Sequence, residues 1–166
     1  DENVQGALIK ALFSTGNVSE LLLEILTFCK TVLGPQHARV MSALGKIGDS
    51  VLDAGLRLLG HEDPDIRVQC LLLVEHFKTP KTVSVVVKLL QDKDWWVRIM
   101  ACETLGRLKD QRTLPHLDKM LADPDCKWAA IDAIAAVGGE TAFASILKLL
   151  KDPAVEVRIA TVSAAK

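Results

Sequence analysis

The chain has 166 residues, of which 49% are hydrophobic; this share is enough for the core of one folded domain and argues against a disordered chain. Its 20 basic and 21 acidic residues give a formal net charge of −1, so the molecule lacks the strong field that would attract nucleic acid or an anionic membrane. We therefore expect neither nucleic acid nor membrane among its partners.

The apolar runs of the sequence are short. The run at residues 83–87 is interrupted by Ser and followed by Lys, well short of the roughly 20 residues that a membrane-spanning helix needs. The sequence does not begin with the basic and apolar pattern of a signal peptide, although a leader removed before Asp1 would leave no trace. Cytoplasmic is the expected location.

The cysteines show no metal-site or disulfide pattern. None of the four forms a CxxC pair, and they are spread along the chain: Cys29, Cys70, Cys102 and Cys126. We expect them to be small buried hydrophobic residues.

Leucine pairs recur along the chain at a regular interval. Spacings of 31, 31 and 29 residues separate the members of one column: Leu59, Leu90, Leu121 and Leu150. A period near 30 residues is typical of helical repeats. Apolar residues precede these leucines at i, i+3, i+4 and i+7 spacing, as in residues 83–90, and this predicts an amphipathic helix that we name helix A.

Helix A has a start signal in a fixed column. The column holds Ser19, Asp49, Thr79, Asp110 and Gly139, and all of these except Gly139 are good N-cap residues. Their side-chain oxygens accept hydrogen bonds from free backbone amides. Pro80 falls at the first helical position, where its missing N–H costs nothing.

An acidic turn and a second helix, helix B, follow each helix A. The turn column holds His61, Asp92, Asp123 and Asp152. A basic column runs along the B helices: His37, Arg67, Arg98, Lys127 and Arg158. One of the apolar columns of helix B holds Val68, Ile99, Trp128 and Ile159. The unit that contains Lys127 keeps this register with a turn two residues shorter than the turn before it.

The pattern predicts a single domain over residues 1–166 that opens and closes in helix B. The predicted helical ranges are approximately 2–14, 19–47, 49–78, 79–109, 110–138 and 139–166. Natural arrays usually finish with polar caps, and neither end resembles one. We therefore expect a fragment of a longer array, or an array that continues into another domain.

The motifs LLxDxxxxVRxxAxxxLGxL at Leu89–Leu108 and LLKDPAVEVRIA at Leu149–Ala160 resemble the HEAT repeat, and more closely the short HEAT-like repeats of phycocyanobilin-lyase type. The resemblance implies an all-α fold, a right-handed α-α superhelix or HEAT-like solenoid of about four to five two-helix repeats. It also implies a scaffold that binds proteins, since such arrays are only occasionally enzymes.

The conspicuous polar residues form a ladder of acidic turns and basic B helices. Its members are Arg67, Asp92, Arg98, Asp123, Lys127, Asp152 and Arg158. In HEAT-like arrays similar residues tie the turn to the neighbouring unit, which implies a structural role. The alternative is an arginine stripe that binds phosphates, as in some DNA-binding HEAT-like proteins, but it needs a surplus of exposed basic residues that the net charge does not provide.

Two adjacent tryptophans interrupt the repeat pattern. Trp95 aligns with Val155, so we expect it to pack beneath the turn. Trp96 aligns with the polar residues Asp65 and Glu156, and an indole at a solvated position is a candidate binding hot spot. The alternative is that Trp96 folds over a neighbouring turn or over Lys93.

The histidines give a weak metal hypothesis. The deoxyhypusine hydroxylases are HEAT-like enzymes that hold two irons with several His-Glu dyads, but here only His61-Glu62 has that order, and Glu75-His76 is reversed. His37 and His116 have no carboxylate at ligand spacing. The chain also lacks a glycine-rich phosphate loop and a GxSxG motif. We therefore predict no catalytic residues, no metal and no cofactor, with a bilin-lyase-like or metal-dependent enzyme as the alternative.

Helical phase predicts the binding surface. In HEAT-like solenoids the B helices usually line the concave side, and the solvent-facing positions of these helices are of mixed polarity, which suits a protein partner. The predicted partner-binding residues are Leu72, His76, Trp96, Met100, Glu103 and Arg107. The predicted function is a non-catalytic protein-interaction or assembly scaffold; the second alternative is a nucleic-acid-binding array.

Overall fold

The computed structural model describes residue 6, residues 17–32 and residues 34–164, and within these ranges it contains helices and no strand. The predicted helix at residues 2–14 lies outside this part of the chain except for the helical Gly6. The helices in chain order are α1 Val18–Cys29, α2 Pro35–Gly45, α3 Asp49–Leu58, α4 Pro64–Val74, α5 Pro80–Leu89, α6 Trp95–Leu108, α7 Leu114–Met120, α8 Lys127–Val137, α9 Gly139–Lys148 and α10 Val155–Ala164. Short 3-10 turns at Gln111–Thr113 and Leu149–Lys151 precede α7 and follow α9.

The helices form pairs in which the odd-numbered helices are A helices and the even-numbered ones are B helices. The chain divides into two compact units, Asp1–Thr82 and Val83–Lys166, and the division falls within α5. In both units A helices pack on A helices and B helices on B helices, as α1 does on α3 and α6 does on α8. This is the packing expected when each repeat buries its apolar stripes against its neighbours.

The core of the first unit is built from aliphatic side chains of α1–α4. Leu22 and Leu26 of α1 are fully buried, as are Leu44 of α2 and Leu71 of α4. Full burial of one such side chain contributes about 1.5–3 kcal/mol relative to exposure. The i, i+4 spacing of Leu22 and Leu26 gives α1 a single apolar stripe toward α3 and α4.

The second unit is centred on α8, which contacts α6, α7, α9 and α10. Ile131 and Ile134 of α8 are fully buried. Gly106 lets α6 approach α8 closely, because a Cβ added there would lie 2.9 Å from the Cα of Ala133. This close approach fixes the distance between the B helices α6 and α8.

The helix starts agree only in part with the predicted column. Pro80 is the first residue of α5, as predicted, and the Thr79 hydroxyl accepts a hydrogen bond from the amide of Thr82 at 3.1 Å. Ser19 was wrong as an N-cap, because Asn17 caps α1 and accepts from the Glu20 amide.

Two further N-cap predictions were wrong because glycine occupies the cap itself. Gly48 and Gly138 are the N-caps of α3 and α9, so Asp49 and Gly139 are the first helical residues. Both glycines have positive φ, 110° and 73°, which lets the chain turn sharply into the next helix.

The four cysteines are all buried and free, as predicted. Burial raises the pKa of Cys70 and of Cys102 to about 12. Their thiols are therefore protonated at neutral pH and act as small apolar side chains.

One apolar column of helix B is not uniformly buried. Val68 and Ile99 are buried, whereas Trp128 and Ile159 are about half or more exposed, so the prediction of a buried column was wrong at these two positions. Within the described ranges, each helix is too short or too polar to span a membrane.

Candidate functional site

The first turn of α6 presents two tryptophan side chains. The Asp94 carboxylate caps the helix: its Oδ1 accepts hydrogen bonds from the amides of Trp96 at 2.9 Å and Val97 at 3.1 Å. The rings of Trp95 and Trp96 meet edge to face, with centroids 5.6 Å apart and an interplanar angle of 65°. The cap and the ring contact together hold both indoles in place at the helix start.

Both tryptophans are accessible to solvent. Trp96 is 42% exposed, and Trp95 is 54% exposed, so the prediction that Trp95 packs beneath the turn was wrong. Trp95 stands at the first residue of α6, before the helix enters the core, and Val155 at the matching position of α10 is also exposed. The site therefore has two exposed tryptophans, whereas the sequence predicted that only Trp96 would be exposed.

Further along α6, the predicted binding residues separate into two groups. Met100 is 6% exposed and belongs to the core, so its assignment to the solvent-facing positions was wrong. Glu103 and Arg107 do reach the surface, where an Arg107 guanidinium nitrogen donates to Glu103 Oε2 at 2.9 Å. The assignment of Met100 was wrong because α6 has buried apolar side chains around most of its circumference, as expected for a B helix that packs between neighbouring helices.

Of the remaining predicted residues, Leu72 lies in the last turn of α4 and His76 follows that helix, both in the first unit. Leu72 is half-buried and His76 is exposed. The His76 side chain lies over Gly45 of α2, where an added Cβ would be 2.7 Å from the His76 Cβ. His76 therefore covers the contact between two B helices of its own unit.

A small open cavity of about 210 Å³ lies between α6 and α8. Trp128, Ala129, Asp132, Ala133 and Ala136 line it from α8, and Glu103, Gly106 and Arg107 line it from α6. Partial burial raises the pKa of the Asp132 carboxyl.

The sequence reasoning missed this cavity because it assigned Trp128 to the core column. The available signal was the set of small residues on the facing sides of the two helices, Gly106, Ala129, Ala133 and Ala136, which leave open space beside that tryptophan. Trp128 is in fact 48% exposed.

The basic column of the ladder bonds to the turns. Arg67, Arg98 and Arg158 each donate through Nη1 to the carbonyl oxygen six residues earlier, on His61, Asp92 and Asp152, at 2.8, 3.1 and 2.8 Å. Carbonyl groups that follow a helix end lack intrahelical donors. The guanidinium groups supply those donors and fasten each B helix to the turn before it.

The acidic column links successive repeats. Asp123 Oδ2 accepts from Arg98 Nε at 2.8 Å, and Asp152 Oδ2 accepts from Lys127 Nζ at 2.6 Å. The other oxygen of each aspartate, Oδ1, accepts from a backbone amide two residues later, in its own turn. Each of these carboxylates thus shapes one turn and holds the preceding B helix.

These contacts shift the ionisation of the aspartates. The hydrogen bond from Lys127, supported by the Ala154 amide, lowers the pKa of Asp152. For Asp123, burial acts to raise the pKa, but the hydrogen bonds from Arg98 and from the Asp125 amide outweigh it, and the net pKa is lowered. Both carboxylates are therefore ionised at neutral pH.

The histidine side chains make local polar contacts. His61 Nδ1 accepts from the Asp63 amide at 3.1 Å, and His37 Nε2 lies 2.7 Å from Gln69 Oε1. In the part of the chain that the structure describes, no three His, Cys, Asp or Glu side chains come together as a metal site.

The repeated helix pairs, the aspartate turns and the basic column recur in a known family. A family model for HEAT repeats matches residues 52–125. Residues 52–125 of this chain are HEAT repeats. No curated protein sequence gives a significant match to the chain.

Solved structures extend the HEAT-like fold beyond the matched residues. The complex of CpcE and CpcF of phycocyanin lyase from Nostoc sp. PCC7120 is similar with a TM-score of 0.71 and 16% identity, over 89% of this chain and 98% of that chain. A designed armadillo repeat protein in complex with the peptide (KR)4 gives a TM-score of 0.54 and 17% identity, over 95% and 85% of the two chains. An engineered protein gives a TM-score of 0.52 and 20% identity, over 95% of this chain and 81% of that chain. These likenesses confirm the predicted fold class, an all-α HEAT-like solenoid, and show the fold alone.

Proposed function

We propose that this HEAT-repeat chain is a non-catalytic protein-interaction or assembly module that uses the exposed face of its B helices. The observation that carries the proposal is the exposure of all three tryptophans, Trp95, Trp96 and Trp128, at the starts of α6 and α8. Tryptophan is enriched among residues that dominate binding energy. Leaving about half of each ring in water forgoes part of the free energy that burial of an indole would contribute to the fold.

The polarity of the surface supports a protein partner. The Trp128 ring lines the same cavity as the Glu103–Arg107 ion pair and the Asp132 carboxylate, the mixture that protein interfaces present. The basic column does not favour nucleic acid, because Arg98 is engaged by a carbonyl oxygen and two carboxylates. The CpcE–CpcF complex and the peptide-bound armadillo protein are both assemblies of this fold class with another chain.

A cytoplasmic location belongs to the same proposal. The four cysteines are free, and reduced thiols are usual in proteins of that compartment.

The proposal is tested by affinity capture with the wild-type chain, the Trp96→Ala variant and a Phe28→Ala control. Phe28 is an exposed aromatic residue on α1, an A helix, so its removal deletes similar apolar area away from the B-helix face. We expect Trp96→Ala to reduce the amount of captured partner at least fivefold with a change in Tm below about 3 °C, since exposed substitutions rarely affect stability. Equal capture by all three proteins would refute the proposal.

A lyase subunit is the second candidate function, and the likeness to the phycocyanin lyase complex is the observation that favours it. It predicts that the purified chain, mixed with a bilin, holds the pigment through gel filtration. Pigment that elutes separately from the protein would count against this candidate.

A further inference from the structure

We propose that the cavity between α6 and α8 is a binding site for a single cationic side chain, arginine in preference to lysine, carried by the protein partner. The inference rests on the proposed function, because it assigns a partner chemistry to the same B-helix face. Its elements are the Trp128 ring, the Asp132 carboxylate one helical turn later, and a floor of small residues.

The size of the cavity selects a single side chain. Its volume of about 210 Å³ is below the range of roughly 300–1,000 Å³ typical of pockets for small-molecule ligands. Gly106 and Ala133 pack so closely that the floor is built from backbone atoms and methyl groups, with no polar side chain to recognise the head of a ligand. Recognition therefore comes from the two walls.

The charges of the walls select a cation. Glu103 and Arg107 neutralise each other in a 2.9 Å ion pair, while Asp132 makes no ion pair or hydrogen bond with the described residues. The cavity therefore has a net charge of −1. An anionic side chain would be repelled, and an apolar one would remove water from Asp132 without supplying a counter-charge.

The Trp128 ring adds a preference among cations. Residues at i and i+4 share one helix face, so the indole and the Asp132 carboxylate flank the same space. A planar guanidinium stacks on an indole and also donates in pairs to a carboxylate, whereas an ammonium is a compact, strongly hydrated charge. An arginine stem lying against Trp128 would place its head at Asp132.

The test is an NMR titration of the complete chain with capped pentapeptides that differ in one central residue: arginine, lysine, norleucine or glutamate. We expect saturable shifts of the Trp128 indole N–H and the Asp132 amide with the arginine peptide, weaker binding of the lysine peptide, and no saturation with the other two. Because the contact includes a partly exposed charge pair, added salt should weaken binding.

Two variants of equal charge separate the site from a general electrostatic effect. Asp132→Asn should weaken binding of the arginine peptide about tenfold, the loss of one charge-assisted contact. Glu140→Gln removes the same charge from the exposed first turn of α9 and should change binding less than twofold.

The inference would be overturned by equal binding of the norleucine peptide, by equal effects of the two variants, or by absence of saturable binding. Saturable shifts confined to Trp95 and Trp96 would also overturn it while leaving the proposed function standing. If Trp96→Ala loses partner capture but no peptide binds at Asp132, the proposed function stands and the arginine site is overturned.

Discussion

Arg98 bonds to acceptors in two different turns. Its guanidinium donates to the Asp92 carbonyl before its own helix and to Asp123 and Asp125 in the following turn. The side chains of Arg98 and Asp123 are largely buried, at 17% and 22% exposure, so the bond between them is little screened by water. Arg98 therefore connects two repeats through one side chain.

Replacing Arg98 with alanine should lower the free energy of unfolding by about 2 kcal/mol, since charge-assisted hydrogen bonds are lost and Asp123 remains partly buried without its partner. Urea unfolding measures the change. Arg112→Ala is the matched control, because Arg112 also pairs with an aspartate, Asp110, but is exposed. Its urea midpoint should stay close to that of the wild type. A stable Arg98→Ala variant would instead favour a binding role for the basic column.

The Lys127–Asp152 bond predicts a pH dependence. The pKa of Asp152 is lowered in the folded chain, so the bond stabilises the protein fully above the unfolded pKa of about 3.9, and this contribution is lost as the pH falls through the folded pKa. The difference in urea midpoint between the wild type and Lys127→Met should therefore be constant from pH 7 to 5 and shrink below pH 4. A difference that does not shrink at all between pH 5 and pH 2 would contradict it.

For individual residues, the sequence predicts the contacts of side chains that recur in every repeat better than the exposure of side chains that occur once. The ladder positions are visible because three arginines and a lysine recur at one register, and each of these side chains bonds to a turn. Trp95, Met100 and Trp128 were placed wrongly because helical phase gives the direction of a side chain, whereas its exposure depends on how far the neighbouring helix extends.

Among the elements, the α6–α8 pair depends on a close approach at Gly106. An added Cβ would lie 2.9 Å from the Cα of Ala133 and 3.2 Å from its Cβ. Neither atom belongs to a flexible side-chain end, so the helices themselves would have to move apart. This contact also sets the width of the cavity.

Gly106→Ala should therefore destabilise the protein by about 1–3 kcal/mol, because overpacking outweighs the gain in helix propensity. Gly55→Ala is the control within α3, where the added Cβ would meet side-chain methyl groups of Leu73 and Val74 at 3.4 Å. Its stability should stay within about 1 kcal/mol of wild type. Thermal unfolding compares the two, and a Gly106→Ala variant more stable than the wild type would disprove the close contact.

The helix pairs themselves could be predicted because each A and B helix has its own apolar stripe and the stripes repeat. The first residue of each helix could not be predicted as well. Asp49 resembles a cap in the sequence and Gly139 stands in the same column, but Gly48 and Gly138 adopt positive φ and take the cap position. A glycine N-cap has no side-chain oxygen by which the sequence could identify it, so the following residue is easily taken for the cap.

Across the whole molecule, equal positions in the repeat do not have equal burial. Ile99 and Ile159 occupy the same column of helix B, yet Ile99 is 1% exposed and Ile159 is 62% exposed. The repeat pattern predicts the all-α fold class, since every unit carries the column. It does not predict burial in a given unit, which requires a neighbouring helix to cover it.

Alanine at these two positions should give very different results. Ile99→Ala removes buried methyl groups and should cost about 2–5 kcal/mol. Ile159→Ala should cost about 0.5 kcal/mol or less, as for other exposed substitutions. Chemical denaturation of both variants checks this, and similar losses would mean that Ile159 is covered in solution.

The positions of the tryptophans give the protein a built-in optical probe. All three lie between residues 95 and 128, within the unit Val83–Lys166, and none lies in residues 1–82. Because the emission wavelength of an indole depends on its contact with water, these half-exposed rings should emit at long wavelength in the native state. A partner that covers them should shift the emission to the blue without any attached dye, and changes confined to the first 82 residues should leave the spectrum unaltered.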